Sequence, residues 1–292
     1  LNGMLIVDSH AEVLCHRAFK RWVLLEILNQ NSKYFVKNQG EKLSMRSGFQ
    51  IALYSSQSPC GDCSMESLAC DNIISMSENR KFNCKIDGNV LRGRMNYECL
   101  GVLRTKPGRA DSELSQSHSC SDKLAKWLCL GLGGSFVRYH VVEPIRVKII
   151  IIEDRFHRNG LERGLNERTV SWRNKYGIKP IEVSKTDLVF EEGCQIDKLS
   201  SSMSKIWMLG MDRAETINMG RKQGFIKPKN NSWPAQSSSM CSKYHLGRLF
   251  LETIKGNPGE ISYSQLKALS IIYQMEKRDL LLESCFKGWK QS

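Results

Sequence analysis

Apolar positions along this chain recur with two different periods, and the change of period marks its elements. Val13, Phe19, Val23 and Ile27 fall near helical spacing and predict a helix over residues 9–28, with Asp8 or Ser9 as its cap. Residues 49–54 alternate and predict a strand that runs into the Pro59-Cys60 turn, with Cys60 at the start of a second helix. A helix is expected over 122–130 and a strand over 136–142. The β-branched run Val147-Lys148-Ile149-Ile150-Ile151-Ile152 reads as a central strand. Residues 70–99 have no clean period and are rich in Asn, Ser and Lys, so they read as an insertion or loop. The span 157–204 is the least informative, with a possible strand at 188–190.

On a helix turning about 100° per residue, Tyr263, Lys267, Tyr273 and Lys277 share one face about 120° wide. Leu266, Leu269, Ile272 and Met275 lie largely opposite. Pattern alone therefore gives an amphipathic helix with a solvated Lys/Tyr face.

The composition is that of a globular protein: 292 residues, 41% hydrophobic and 25% charged. No apolar run is long enough to span a bilayer, so no membrane partner is expected. Eleven cysteines, an odd number without regular spacing, favour a reducing compartment over a disulfide framework, hence the nucleus and/or cytoplasm. The formal charge of +13 favours a polyanionic partner, nucleic acid first.

Candidate chemistry lies in His10-Ala11-Glu12 followed by Pro59-Cys60-Gly61-Asp62-Cys63. This is the two-part signature of zinc-dependent nucleobase deaminases. One imidazole and two thiolates hold the metal with a fourth position open, and Glu12 is placed to carry protons. The generic pattern makes Cys63 the third ligand.

A further group of motifs resembles one family, the adenosine deaminases acting on RNA and their relatives acting on tRNA. The stretches are Asp8-Ser9-His10-Ala11-Glu12, Ser58-Pro59-Cys60-Gly61-Asp62, Leu103-Arg104-Thr105-Lys106-Pro107-Gly108-Arg109, Ser119-Cys120-Ser121-Asp122-Lys123 and Val142-Glu143-Pro144-Ile145. The resemblance implies zinc held by His10, Cys60 and Cys120, with Glu12 catalytic. Cys63, where the family usually has alanine, then becomes a nearby buried thiol. It implies an α/β fold, a three-layer α/β/α sandwich of the cytidine-deaminase type with a C-terminal helical extension. The whole chain, 1–292, is expected to be one such domain. It is expected to be N-terminally incomplete, because the family has a strand and a Gly-Thr-Lys segment before His-Ala-Glu.

The same resemblance implies a buried inositol hexakisphosphate. Matching positions are Arg17, Lys123, Trp127, Lys243, Tyr263, Lys267, Tyr273, Lys277 and Trp289. So many cations share an interior only if a polyanion compensates them. Departures are His16 for an arginine, Val7 for a polar residue, and an end at Ser292 where a further lysine is usual. Asp8, Lys106 and Lys123 are implied as a hydrogen-bonded relay between the polyphosphate and the zinc.

The implied reaction is hydrolysis of adenosine to inosine in RNA. The loop bearing Lys106 and Arg109 is an RNA-contacting candidate whose length and charge fit the tRNA branch, as does Gly220-Arg221-Lys222-Gln223-Gly224. tRNA is the expected partner, at the adenosine 3′ of the anticodon in alanine tRNA, and no obligate protein partner is expected. The alternatives are the catalytic domain of a double-stranded-RNA editor, a catalytically silent RNA-binding relative, and a free-nucleoside or cytidine deaminase using Cys63. The intact His10, Glu12, Cys60 and Cys120 argue against silence. The last alternative leaves the Lys/Tyr series unexplained.

Overall fold

The computed structural model describes all residues except 1–2, 39–41, 68–89, 94–98, 107–112, 114, 192, 194–200, 227, 230–231, 258–260 and 290–292. In chain order it begins with α1 (Ala11–Leu28), β1 (Phe35–Lys37), β2 (Leu43–Met45), β3 (Ile51–Gln57), a 3-10 turn (Asp62–Ser64), β4 (Val90–Arg92) and β5 (Leu103–Thr105). Then come α2 (Cys120–Leu130), α3 (Gly134–His140), β6 (Val147–Asp154), α4 (Arg158–Leu165), α5 (Val170–Lys175) and β7 (Glu182–Lys185). Last are β8 (Met203–Ile206), β9 (Glu215–Asn218), β10 (Arg221–Lys222), α6 (Lys243–Thr253), α7 (Tyr263–Ala268) and α8 (Ile271–Leu282). Two compact units result. One comprises Leu1–Phe49, Leu132–Ile145 and Cys194–Met275; the other comprises Gln50–Gly131, Arg146–Gly193 and Glu276–Ser292.

In the first unit α1 turns Leu14 and Ala18 onto Ile206 and Ile217 of the antiparallel β8–β9–β10 sheet, with Ile6, Met208 and Cys241 filling the same core. Gly220 turns β9 into β10 at φ +76, and a Cβ there would lie 2.3 Å from the Ile6 carbonyl oxygen. Only glycine lets the Ile6 N–H reach the Gly220 carbonyl at 3.0 Å. α1 also packs against α3 and α6, and α7 packs against both of those helices.

The second unit is built on a parallel sheet in the order β3–β6–β7. Its middle strand is the isoleucine run, with Ile150 and Ile152 fully buried. Parallel strands covered by helices read as such continuous β-branched runs. α2 and α4 pack on each other, and α4 also contacts β7. Trp172 of α5 is buried in this unit.

Four local expectations are corrected. Residues 136–142 are not a strand: Gly134–His140 is helix α3, and its helical period places Phe136 and Tyr139, three apart, both against Phe250 at 4.4 and 5.6 Å. Leu188, Val189 and Phe190 are exposed and carry no ladder. Cys60 does not open a helix; it lies before Gly61, the N-cap of the 3-10 turn. Residues 263–277 are two helices, α7 and α8, separated at Leu269-Ser270. Their burial also inverts the solvated Lys/Tyr face. Tyr273 is buried, while Leu269, Ile272 and Met275 are exposed and only Leu266 of the apolar set is buried.

Candidate active site

In the first unit His10 is the N-cap of α1 with extended backbone, φ −61 and ψ 143. The expected capping by Asp8 or Ser9 is replaced by a different use of Asp8. Its Oδ1 accepts from the His10 backbone N–H at 3.2 Å and from His10 Nδ1 at 2.8 Å. Committing Nδ1 to a carboxylate leaves Nε2 as the ring's lone-pair donor, the arrangement by which proteins prepare a histidine for a metal. Glu12 follows in the first turn of the same helix, with its carboxylate on the helix's positive end.

In the second unit the two cysteine turns are joined together. β3 delivers the chain to Pro59-Cys60-Gly61. Gly61 has φ +105, and a Cβ there would fall 2.2 Å from Ser119 Oγ, so glycine is needed for the approach of the second turn. The Cys120 N–H points at Cys60 Sγ, 3.4 Å away. Ser121 donates to the Cys60 carbonyl from both its backbone N–H and its hydroxyl, each at 3.0 Å. Cys120 is the first residue of α2, whose N-cap is Ser119, with Ser119 Oγ accepting from the Asp122 N–H. A thiol at that position faces the helix's unpaired N–H groups, which favours the thiolate.

Lys106, buried, reaches Cys120 Sγ with its Nζ at 3.2 Å. Lys123 Nζ donates to Ser117 Oγ at 2.7 Å. Pro107, Gly108 and Arg109 lie outside the described residues, as does most of 70–99. Cys63 faces elsewhere. Its N–H donates to Ser121 Oγ at 3.0 Å, and its Sγ lies 2.5 Å from where a Cβ on Gly164 of α4 would be. Burial pushes the Cys63 thiol up to about 12.

Two arginines hold these turns, and the sequence reading had not singled them out. Arg168 Nη1 pairs with Oδ1 of fully buried Asp122 at 2.8 Å. Oδ2 of Asp122 accepts from the Arg104 N–H at 2.9 Å and from Ser119 Oγ at 2.7 Å. Burial alone would lower the Arg168 pKa, but the Asp122 carboxylate overrides it and raises it. Arg163 Nε meets buried Asp62 Oδ2 at 3.1 Å and also pairs with Glu66. Their signal, two arginines in Glu162-Arg163-Gly164-Leu165-Asn166-Glu167-Arg168, is indistinguishable in sequence from a solvated charged turn.

The polyphosphate candidates also divide between the units. In the first, the Tyr263 ring lies 5.9 Å from Lys243 Nζ and 5.8 Å from Lys267 Nζ, and Arg17 Nη1 donates to the Cys241 carbonyl at 2.9 Å. Burial raises the Tyr263 pKa while Arg17 opposes it. Tyr273 is buried. In the second, Trp289 stacks on His118 with centroids 4.0 Å apart and carries Lys126 Nζ over its ring at 4.0 Å. Trp127 is buried and Lys277 has its pKa lowered by burial. Lys126 is a further cation that the sequence reading passed over. Among the described residues, no three His, Cys, Asp or Glu side chains are gathered closely enough to hold a metal ion. No described helix is long and apolar enough to cross a membrane.

A deaminase is what a caught histidine, an adjacent glutamate and a paired-cysteine turn beside a parallel sheet define. The profile of the adenosine-deaminase (editase) domain matches residues 1–292, and the chain belongs to that family. It is an adenosine deaminase domain of mixed α/β fold with a helical C-terminal part. Among its relatives, tRNA-specific adenosine deaminase 1 of Schizosaccharomyces pombe is 29% identical over 98% of this chain and 76% of that protein. The protein of the same name from Saccharomyces cerevisiae is 30% identical over 91% of this chain and 70% of its own length. The double-stranded RNA-specific adenosine deaminase of Mus musculus is 27% identical over 56% of this chain and 15% of that protein.

Proposed function

We propose that this chain hydrolyses adenosine to inosine in tRNA, at the adenosine immediately 3′ of the anticodon in alanine tRNA, and does so in the nucleus and/or cytoplasm. The observation that carries the substrate class is one of extent. The tRNA-named relatives of Schizosaccharomyces pombe, Saccharomyces cerevisiae and Drosophila melanogaster match 91–99% of the chain and that of Mus musculus 65%, whereas those named for double-stranded RNA match 56–57% of it.

The donor set fits zinc. His10, with Nδ1 bonded to Asp8, would ligate through Nε2, and Cys60 Sγ lies beside the N–H of Cys120, the first residue of α2. These three residues would hold the ion, and the chemistry it supplies when bound is the acidification of a water at neutral pH. Glu12 takes a proton from the water whose oxygen adds to C6 and delivers it to N1 of adenine; it then passes the proton of the new C6 hydroxyl to the amino group, and the C6–N bond breaks to give inosine and ammonia. Lys106 holds the Cys120 sulfur from behind, and Asp8 holds His10.

The cationic side chains fit a polyphosphate. Arg17, Lys243, Tyr263, Lys267 and Tyr273, with Lys123, Trp127, Lys277 and Trp289, would hold inositol hexakisphosphate, which neutralises charges that the interior otherwise penalises. Arg109, outside the described residues, is the proposed RNA contact; Lys106, expected to share that role, is buried with its Nζ on Cys120 Sγ and is assigned to the metal ligand instead.

The test is inosine formation in alanine tRNA, read by sequencing after incubation with the protein and with Glu12→Ala. Conversion next to the anticodon by the first and not the second is expected. Conversion of long duplex RNA instead would transfer the assignment to the double-stranded-RNA branch.

A further inference from the structure

The polyphosphate reading does not include Lys20 of the first unit. Lys20 stands three residues beyond Arg17 on α1, so the two side chains share a helix face. It reaches Gly134, the first residue of α3: a Cβ on Gly134, whose φ is +61, would lie 3.2 Å from both Cε and Nζ of Lys20. Two residues along α3, Phe136 meets the Tyr263 ring edge-on at 5.1 Å. That is the ring flanked by Lys243 of α6 and Lys267 of α7. Three helices, α1, α6 and α7, thus bring Arg17, Lys243 and Lys267 to one tyrosine, with Lys20 next to Arg17 and Lys267. Arg17 and Lys267, both positive, are close enough to act on Lys20.

We propose that Lys20 is a further cation of the polyphosphate site, contributing with Arg17, Lys243 and Lys267 to a single cationic wall that receives phosphate groups. The inference rests on the polyphosphate reading and goes beyond it in naming a residue that no family motif marked. A surface lysine would keep its charge by hydration. This one is half-buried and its charged neighbours Arg17 and Lys267 are both positive, so an anion among them would favour its charged form.

A consequence is that binding takes up a proton. Burial first, then Arg17 and Lys267, push the Lys20 pKa down to about 7. α3 presents the Gly134 backbone to it, and α7 brings Lys267 near enough to act on it. The unliganded protein therefore holds Lys20 partly neutral near neutral pH, and a hexakisphosphate restores its proton. Affinity should fall as pH rises above about 7.

The experiment is calorimetric titration of myo-inositol hexakisphosphate into the ligand-free full-length protein near pH 7.5, in two buffers of different ionisation enthalpy. Wild type should take up a fraction of a proton that Lys20→Met lacks, and Lys20→Met should bind about tenfold more weakly or worse. Lys20→Arg, permanently charged, should retain the affinity and lose the uptake. A Lys20→Met variant with unchanged affinity and uptake overturns the role of Lys20 alone. No saturable binding by wild type overturns it together with the polyphosphate reading. Thermal melting separates a structural role. Lys20→Met should leave the unliganded midpoint unchanged or higher and shrink only the ligand-induced shift, whereas loss of the unliganded midpoint in both variants overturns the proposal.

Discussion

Lys106 Nζ rests 3.2 Å from Cys120 Sγ, and both side chains are buried. An ammonium that close to a sulfur stabilises the thiolate, the form that binds metal. Lys106 is thus tied to the proposed metal centre through a ligand and not through the substrate. Lys106→Met is expected to weaken zinc binding by about 10–100-fold, the usual scale for a group supporting a metal ligand. Competition against a chromophoric chelator checks this. An unchanged zinc affinity with reduced turnover would place Lys106 at the RNA instead.

Asp8 has the matching role on the histidine side, through its 2.8 Å bond to His10 Nδ1. Asp8→Asn keeps the shape but replaces a charged acceptor by an amide. Zinc affinity and kcat should each fall by about 10-fold or more. Helix content by circular dichroism should be unchanged, since the α1 cap makes no side-chain bond to its own first turn.

Cys63 and Cys120 are separated by a direct comparison. Cys63 lies against Gly164 with its thiol pushed up to about 12 by burial, whereas Cys120 touches Lys106. Cys63→Ala should retain one zinc per chain by elemental analysis and lose on the order of 1 kcal/mol of stability for the small cavity. Cys120→Ala should lose the metal. Zinc loss in Cys63→Ala would return the third ligand to the generic spacing.

How much of this was legible follows from what kind of signal each element carried. The isoleucine run needed no partner to be read, because a β-branched apolar stretch is both propensity and burial at once; it emerges as β6, Val147–Asp154. The helix at 122–130 was read two residues late, since its start at Cys120 is set by the Ser119 cap. Phe136, Val137 and Tyr139 favour strands by type, yet α3 forms because the helical turn puts two rings on Phe250, a contact more than 100 residues away. The C-terminal Lys/Tyr face was inverted for the same reason: amphipathicity says which side is apolar but not which side is covered. In the site, the motifs point to His10, Glu12, Cys60 and Cys120, and the structure places Cys60 Sγ beside the Cys120 N–H. The arginines 163 and 168 that hold the turns were invisible, because their carboxylate partners lie about 40–100 positions away.

Arg168 offers a test of that hidden framework. With Asp122 fully buried, removing its guanidinium partner leaves a charge that the Ser119 hydroxyl and Arg104 N–H only partly satisfy. Arg168→Met should destabilise the protein by about 3–5 kcal/mol in urea unfolding. Asp122→Asn added to it should recover part of that loss, since the uncompensated charge is then gone. Equal or greater loss in the double variant would mean that the Asp122 carboxylate acts mainly through its other hydrogen bonds.

His140 sets a pH dependence in the first unit. Its Nε2 lies 2.8 Å from Thr253 Oγ1, whose own hydroxyl donates to the Phe250 carbonyl at 2.6 Å. The threonine proton is therefore used, so His140 Nε2 carries a proton and donates it. Burial accordingly lowers its pKa from 6.5 to about 4. A folded-state pKa below the unfolded one means the unfolded chain binds more protons between those values, so stability rises with pH there. The contribution is complete above about pH 6.5 and is lost as pH falls toward about 4, to the extent of roughly 2–3 kcal/mol. His140→Gln keeps an amide N–H for Thr253 but cannot titrate. Its stability measured by urea unfolding from pH 7 down to about pH 4 should fall less steeply than wild type by that amount. Parallel curves for the two proteins would show that His140 is protonated in the folded state without penalty.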